Sequence, residues 1–363
     1  MSGIVPFMPE IPTHIKETRR GRGATHNPAN RFEEIAYVPD YEEGVHTGNL
    51  KTKFYKDTTK SIISTNDSPD IPFRTSINPY RGCEHGCVYC YARPTHEYFG
   101  LSSGLDFESV IFVKEDAPQL LRKELSHKKW DPQVVVLSGV TDCYQPIEKK
   151  LQITRGCLEV LLDYRNPCAI ITKNHLVTKD IDVLSQMAQD DLCAVNVSIT
   201  TLDRHLAKVM EPRASTPMDR LKTIEQLAKA GIPAGVMTAP IIPGLNDHEI
   251  PALLKAAREA GAQWAGYVVL RLPYALKELF ESWLGEHFPD RKDKVLNRLK
   301  AMRGGKLYDA QWNKRMSGEG IFAQQIEQVF DLHYKRLGFG RDRSQLSIRH
   351  FRNPEKKQFE FLF

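Results

Sequence analysis

Three cysteines crowd into the stretch NPYRGCEHGCVYCYA, where Cys83, Cys87 and Cys90 are spaced C-x3-C-x2-C. Thiolates are soft ligands that suit iron–sulfur clusters and zinc. Three of them on one loop can each hold an iron of a cubane and leave the fourth iron open, whereas electron-transfer clusters usually take four Cys. An open iron is a place for chemistry. Zinc would require a fourth ligand, His85 or a distant Cys, and usually takes four closed ligands, commonly as two pairs. No second close pair of Cys or His follows at zinc-ribbon spacing. The residues alone therefore leave two readings, a catalytic iron–sulfur site and a zinc-stabilised nucleic-acid-binding protein. A disulfide framework is a poor third, because the chain holds seven cysteines and three of them lie within eight residues. Gly82 and Gly86 allow the tight bends that converge three side chains, and Tyr89 can shield one face of a cluster from water.

The elements around this loop must hold it steady. An extended run over 75–80 leads into the cysteines, and β-branched runs follow at 110–113, 134–137, 169–172, 194–199, 234–238 and 267–270. Between the later runs lie stretches with helical spacing at 151–164, 178–189, 218–230 and 248–260. Gly231 and Gly261 stand where helix C-termini favour a positive φ. Such alternation predicts parallel strands joined by crossovers, as a doubly wound sheet or as a barrel or partial barrel. Residues 1–74 form an irregular N-terminal arm with a basic stretch at Lys16, Arg19, Arg20 and Arg22, either wrapped on the body or mobile. Residues 75–273 carry the strand–helix core. Residues 274–363 are a helical C-terminal extension, with helices expected at 275–286, 292–302 and 321–336, and a basic tail.

The 363 residues carry a net charge of +5, a mild excess that permits an acidic partner without requiring one. Nucleic acid is a possible partner. Its strongest support is the basic stretch together with Arg349, Arg352, Lys356 and Lys357 beside Phe351, Phe359 and Phe361, and the simpler reading of that tail is aromatics tucked onto the body. No window approaches the roughly 18 apolar residues of a membrane span, and the N-terminus lacks a secretory pattern, so a cytoplasmic protein is expected.

The C-x3-C-x2-C spacing with an aromatic before the third Cys resembles the signature of radical S-adenosylmethionine (SAM) enzymes, and the resemblance runs over 75–272. It implies a partial (β/α)6 TIM-type barrel with the cluster loop after the first strand, a [4Fe-4S] cluster held by Cys83, Cys87 and Cys90, and SAM as second cofactor. In that family the reduced cluster cleaves SAM to a 5′-deoxyadenosyl radical that takes a hydrogen atom from the substrate. A one-electron donor such as flavodoxin or ferredoxin is implied as partner. SAM contacts are then expected at strand ends. Ser138, Gly139, Thr141 and Asp142 in SGVTD resemble the motif that receives the SAM amino group, and Lys173 suits its carboxylate. Ser198 and Thr200 would face the same mouth, with Glu211 and Arg213 as a charged pair on the following loop for ribose and carboxylate.

CVYCYA, with Tyr91 directly after the third Cys, and VTDCYQPIE resemble spore photoproduct lyase and its DNA-repair photolyase-like relatives. In the lyase a Cys thiol just before a Thr-Ser-Asp stretch quenches the substrate radical. Here Val140 holds that place, and Cys143 is the nearest thiol that could serve as hydrogen donor. The resemblance implies a lyase-like radical SAM enzyme of unassigned substrate.

Overall fold

The computed structural model describes residues 21–33, 50–340 and 346–355. Six parallel strands form its centre: β1 (Thr75–Ile77), β2 (Val135–Leu137), β3 (Cys168–Thr172), β4 (Cys193–Ser198), β5 (Ala234–Ile241) and β6 (Trp264–Val269). Each pairs with its neighbour in chain order, Ile77 opposite Leu137, Ile170 opposite Val195 and Val197 opposite Val236. A short antiparallel strand, Ile63–Thr65, adds to the outer edge of β1, so the sheet is open between that strand and β6. This is an α/β fold with the curved parallel core of a partial TIM-type barrel.

Helices follow the strands: α1 (Ala117–Ser126), α2 (Ile153–Asp163), α3 (Ile181–Ala188), α4 (Arg204–Met210), α5 (Pro217–Lys229) and α6 (Ile250–Glu259). In α5 the Thr216 hydroxyl caps Asp219 N and Pro217 sits in the first turn, a favoured helix start. Its buried face runs Arg220, Thr223, Ile224, Leu227, the three-and-four spacing of an amphipathic helix. That rotation turns Arg220 into the interior. The core is built from alternating strand residues such as Val135, Ile170, Val195 and Val236 against Leu158, Leu184, Leu227 and Leu254 of the helices.

The run at 110–113 does not join the barrel as the alternation suggested. Val110–Val113 pairs with Lys53–Lys56 and Tyr80–Arg81 in a separate three-stranded sheet beside the cysteine loop. A short helix at Leu105–Ser109 enters it directly, so 110–113 lacks the strand–helix–strand spacing of a barrel unit.

Three helices make the C-terminal extension: α7 (Leu276–His287), α8 (Pro289–Ala301) and α9 (Gly320–Arg336). Phe280, Trp283 and Leu284 of α7 and Val295 and Leu299 of α8 share one apolar cluster with Cys87, Val88 and Tyr89. The extension is therefore a wall of the cysteine loop, and burial of such side chains contributes ~1.5–3 kcal/mol each. The free edge of β6 is covered where Met316 O accepts Val269 N at 2.8 Å. Arg315, clasped by Asp70, ties that segment to the far side of the opening. In the tail, Phe351 lies against Tyr164 with ring centroids 6.3 Å apart, and Arg352 bonds the Asp163 carbonyl. Lys16, Arg19, Arg20, Lys356, Lys357, Phe359 and Phe361 lie outside the described residues. Among the described residues no helix is long and apolar enough to cross a membrane.

Candidate active site

The cysteine loop leaves Tyr80–Arg81 and ends at the 3-10 helix Arg93–Phe99. Cys83 and Cys87 are buried and Cys90 is half-buried. Gly86, at φ +66°, makes the bend between the first two. Groups from elsewhere in the chain hold the loop backbone. Gln145 accepts Glu84 N at 2.9 Å and donates to Gly82 O at 3.3 Å. Cys83 N reaches Phe107 O at 2.9 Å, and Val88 N reaches Met210 O at 3.1 Å. Arg93, with no exposed surface, donates from Nε to Cys87 O at 2.9 Å and pairs with the equally buried Glu108 at 2.7 Å.

The N-terminal arm completes this support. Glu108 accepts Gly23 N at 3.0 Å and Ala24 N at 2.7 Å, while Arg22 donates to Glu108 O at 2.5 Å. Gly23 is seated so closely that a Cβ there would lie 1.7 Å from Gly86 O. Of the two readings of the arm, residues 21–24 follow the wrapped one, and Gly23 serves close approach rather than mobility.

The three thiols share one environment. Burial pushes Cys83 well above the ordinary thiol range, with Asp142, Cys87 and Cys90 adding to the rise. Burial and Glu211 push Cys87 up to about 12 against the opposing pull of Lys173. Burial also raises Cys90, opposed by Arg93. Among the described residues no three His, Cys, Asp or Glu side chains are drawn together as a set for a metal ion. A cubane takes its thiolates on three different irons, a wider arrangement than four ligands around one ion. The donor set fits such a cluster: three sulfurs on one braced loop and, among the described residues, no group committed as a fourth ligand. Closing a zinc site is harder. His85 has both ring nitrogens engaged, Nδ1 with Asp142 at 3.3 Å and Nε2 with Asn174 at 3.1 Å. Cys143, Cys157, Cys168 and Cys193 have no exposed surface and lie in the main core.

The strand ends meet the loop from the other side. Ser138, which follows β2, takes φ 73°, a conformation uncommon without glycine, and its Oγ accepts Cys143 N at 2.8 Å. The Gly139 carbonyl accepts the Tyr91 hydroxyl at 2.7 Å. Asn78 Oδ1 accepts both Val140 N and Thr141 N, at 2.8 and 3.2 Å. The Thr141 hydroxyl is used internally, on Tyr80 O at 2.7 Å. Asp142 accepts Tyr144 N, the Thr172 hydroxyl and Lys173 N, each within 2.9 Å. Burial alone would raise its carboxyl, but His85 and these donors bring it down to about 2. Asp142 is thus an organiser of the mouth that fixes Lys173 and His85 together.

The Lys173 ammonium stands 5.8 Å over the Tyr89 ring and has no hydrogen-bond or ion-pair partner among the described residues. Burial lowers its pKa, but Cys87 and Glu211 outweigh that and raise it, so it stays a cation. The Ser198 hydroxyl, at the end of β4, is likewise without a partner among the described residues; its carbonyl accepts Arg220 at 3.0 Å. Thr200 donates to Glu211 at 2.6 Å.

Glu211 and Arg213 do not form the expected pair. Glu211 is buried and bonds Arg220 and the Tyr89 hydroxyl as well as Thr200. Arg213 turns the other way, to Glu84 at 2.9 Å and Thr52 at 3.1 Å. The chain leaves the end of α4 at Glu211 in a non-helical conformation, φ −138°, which separates the two side chains. The true partner, Arg220, lies on a helix whose sequence shows nothing beyond an ordinary charged position. Asn78, Gln145 and Asn174 carry no motif signal either. Cys143 is also displaced from its expected role, because it is wholly buried within the main core. The side chain exposed beside the mouth is that of Val140.

The family model described as the radical SAM superfamily matches residues 77–257. An uncharacterised protein of Mycobacterium tuberculosis is 35% identical over 222 residues, which cover 61% of this chain and 65% of that protein. A radical SAM Nα-GlyT isomerase of Pseudomonas phage M6 is 24% identical over 261 residues, 66% of this chain and 51% of the isomerase. The structure of spore photoproduct lyase complexed with dinucleoside spore photoproduct superposes with a TM-score of 0.55 at 16% identity, over 84% of this chain and 85% of the lyase. The lyase thus shares the fold.

Proposed function

The chain belongs to the radical SAM superfamily, and on that footing we propose that Cys83, Cys87 and Cys90 hold a [4Fe-4S] cluster and that the facing strand ends bind SAM. When bound, the two cofactors supply reductive cleavage of SAM and a 5′-deoxyadenosyl radical able to take a hydrogen atom from substrate. The protein's share is holding and orienting. Lys173 offers a cation to the SAM carboxylate, and Ser138, Gly139 and Asp142 lie where the amino group would be received. Ser198 offers a free hydroxyl. Glu211, Thr200 and Arg220 fix Tyr89 between the loop and the mouth, so their part is positioning. Thr141 and Arg213, spent on internal contacts, support the site from behind.

One observation carries the reading: a three-thiol loop whose backbone is held by Gln145 and by the Arg93–Glu108 pair faces a lysine and a serine that have no partner among the described residues. Val140 in place of a mouth thiol leaves the substrate unassigned and separates this chain from dimer-lyase chemistry. A flavodoxin- or ferredoxin-type donor would supply the electron. The test is anaerobic reconstitution followed by SAM and a strong reductant. The reading expects 5′-deoxyadenosine in wild-type protein and none after Cys87→Ala. Cleavage retained by that variant, or a fully loaded wild-type cluster without cleavage, would reject it.

A further inference from the structure

The groove between the barrel rim and the C-terminal helices holds two cations, Arg291 and Lys294, that have no ion-pair partner among the described residues. A cavity of about 760 Å³ is lined by His248 after β5, by Arg291, Lys294 and Arg298 of α8, and by Phe322 and Gln325 of α9. A second cavity of about 350 Å³ adjoins it, with His248 and Arg291 lining both. Arg291, Lys294 and Arg298 are three and four residues apart and line one helix face.

The acids of the groove each have a partner, and one of them is paired with a cation. Asp247 pairs with Arg298 at 3.1 Å. Glu249 accepts the Thr201 hydroxyl at 2.5 Å and Leu202 N at 2.6 Å, and Asp203 caps α4 through His205 N at 2.7 Å. The side chains of Arg291 and Lys294 have no hydrogen-bond or ion-pair partner among the described residues, and both are exposed. The Arg298 guanidinium carbon lies over the Phe322 ring, 5.0 Å from its centre, a cation–π contact. Gly244, across the groove at φ +87°, comes close enough that a Cβ would touch Arg298 Cδ at 3.4 Å and Lys294 Cγ at 3.5 Å.

Two unpaired cations beside an aromatic ring and a guanidinium in an open groove match a phosphate carried next to a flat ring. We propose that this groove binds the phosphate groups of a nucleotide unit, with Arg291 and Lys294 on the phosphates and the Arg298–Phe322 pair against the base. The assignment is independent of the cluster reading, because none of these residues belongs to the cysteine loop or the strand ends around it.

The experiment titrates full-length protein with pyrophosphate, ADP and a labelled single-stranded oligonucleotide of about twelve nucleotides, across a range of salt concentrations. The wild-type protein is expected to bind at least ADP or the oligonucleotide. Arg291→Gln with Lys294→Gln should weaken that binding at least tenfold and reduce the salt slope by about 1.5, near the value for two lost phosphate contacts. The double variant should keep the wild-type melting temperature and SAM cleavage, and Lys255→Gln with Lys277→Gln should bind as wild type. ADP bound at the groove identifies a free nucleotide as source; oligonucleotide bound without ADP identifies a strand. No binding of any probe, or unchanged binding by the double variant, overturns the proposal. Loss of SAM cleavage in wild-type protein would bear only on the cluster reading.

Discussion

The two sides of the cysteine loop are built on opposite principles. Behind it, polar groups close on one another: Gly23 N and Ala24 N on Glu108, Glu108 on Arg93, Arg93 on Cys87 O. In front, Lys173 and Ser198 present an ammonium and a hydroxyl that nothing described in the chain satisfies. Buried polar groups normally find partners, because an unmet donor or charge costs free energy. The closed network of Glu108 and Arg93 works as scaffold, whereas the half-buried Lys173 and the buried Ser198 are the groups left for the proposed SAM site. The difference makes the two sides separable by mutation.

The sharpest break is in the loop itself. Cys87→Ala should take iron and sulfide content to background on metal analysis, whereas Cys193→Ala, deep in the core, should load as wild type. Next is the rear network. Glu108→Ala strands Arg93 without its partner, and loss of one member of a buried pair costs ~3–5 kcal/mol, to be read from denaturant unfolding. Gly23→Val, which needs space that Gly86 O occupies, should speed iron loss to a chelator and raise hydrogen exchange across residues 82–92, with the barrel strands unchanged. On the front side, Lys173→Met should keep the iron content and weaken SAM binding by about tenfold to a hundredfold, in line with loss of a charge-assisted bond worth ~1.5–3 kcal/mol. Equal loss of cluster and SAM binding in that variant would erase the distinction between the sides. The smallest effect belongs to Cys143→Ala: SAM cleavage unchanged and stability lower by about 1 kcal/mol, the usual scale of a point substitution.

The cysteine spacing and the strand–helix alternation were readable in the sequence because both are local: a ligand loop needs its residues close together, and parallel strands must alternate with crossovers. The helices at 151–164, 218–230 and 321–336 match α2, α5 and α9 to within a few residues. The strand at 110–113 was misplaced because an apolar run of four residues does not say which sheet it joins. What holds the site together is not local. Arg220 meets Glu211 across nine residues, Arg93 meets Glu108 across fifteen, and Gly23 meets Gly86 only through the folded chain. Neither the turn that parts Glu211 from Arg213 nor the burial of Cys143 leaves a pattern in residue type. Motif reading picked out the cysteine loop, and the groups that brace it became visible only in three dimensions.

The central claim is that the three-cysteine loop leaves an iron free for SAM. Electron paramagnetic resonance of the reduced, reconstituted protein, recorded with and without SAM, tests it most directly. The account predicts a [4Fe-4S]⁺ signal whose g-values move when SAM is added, with the move weakened in Lys173→Met at the same SAM concentration. A [4Fe-4S]⁺ signal that saturating SAM leaves unchanged would contradict it.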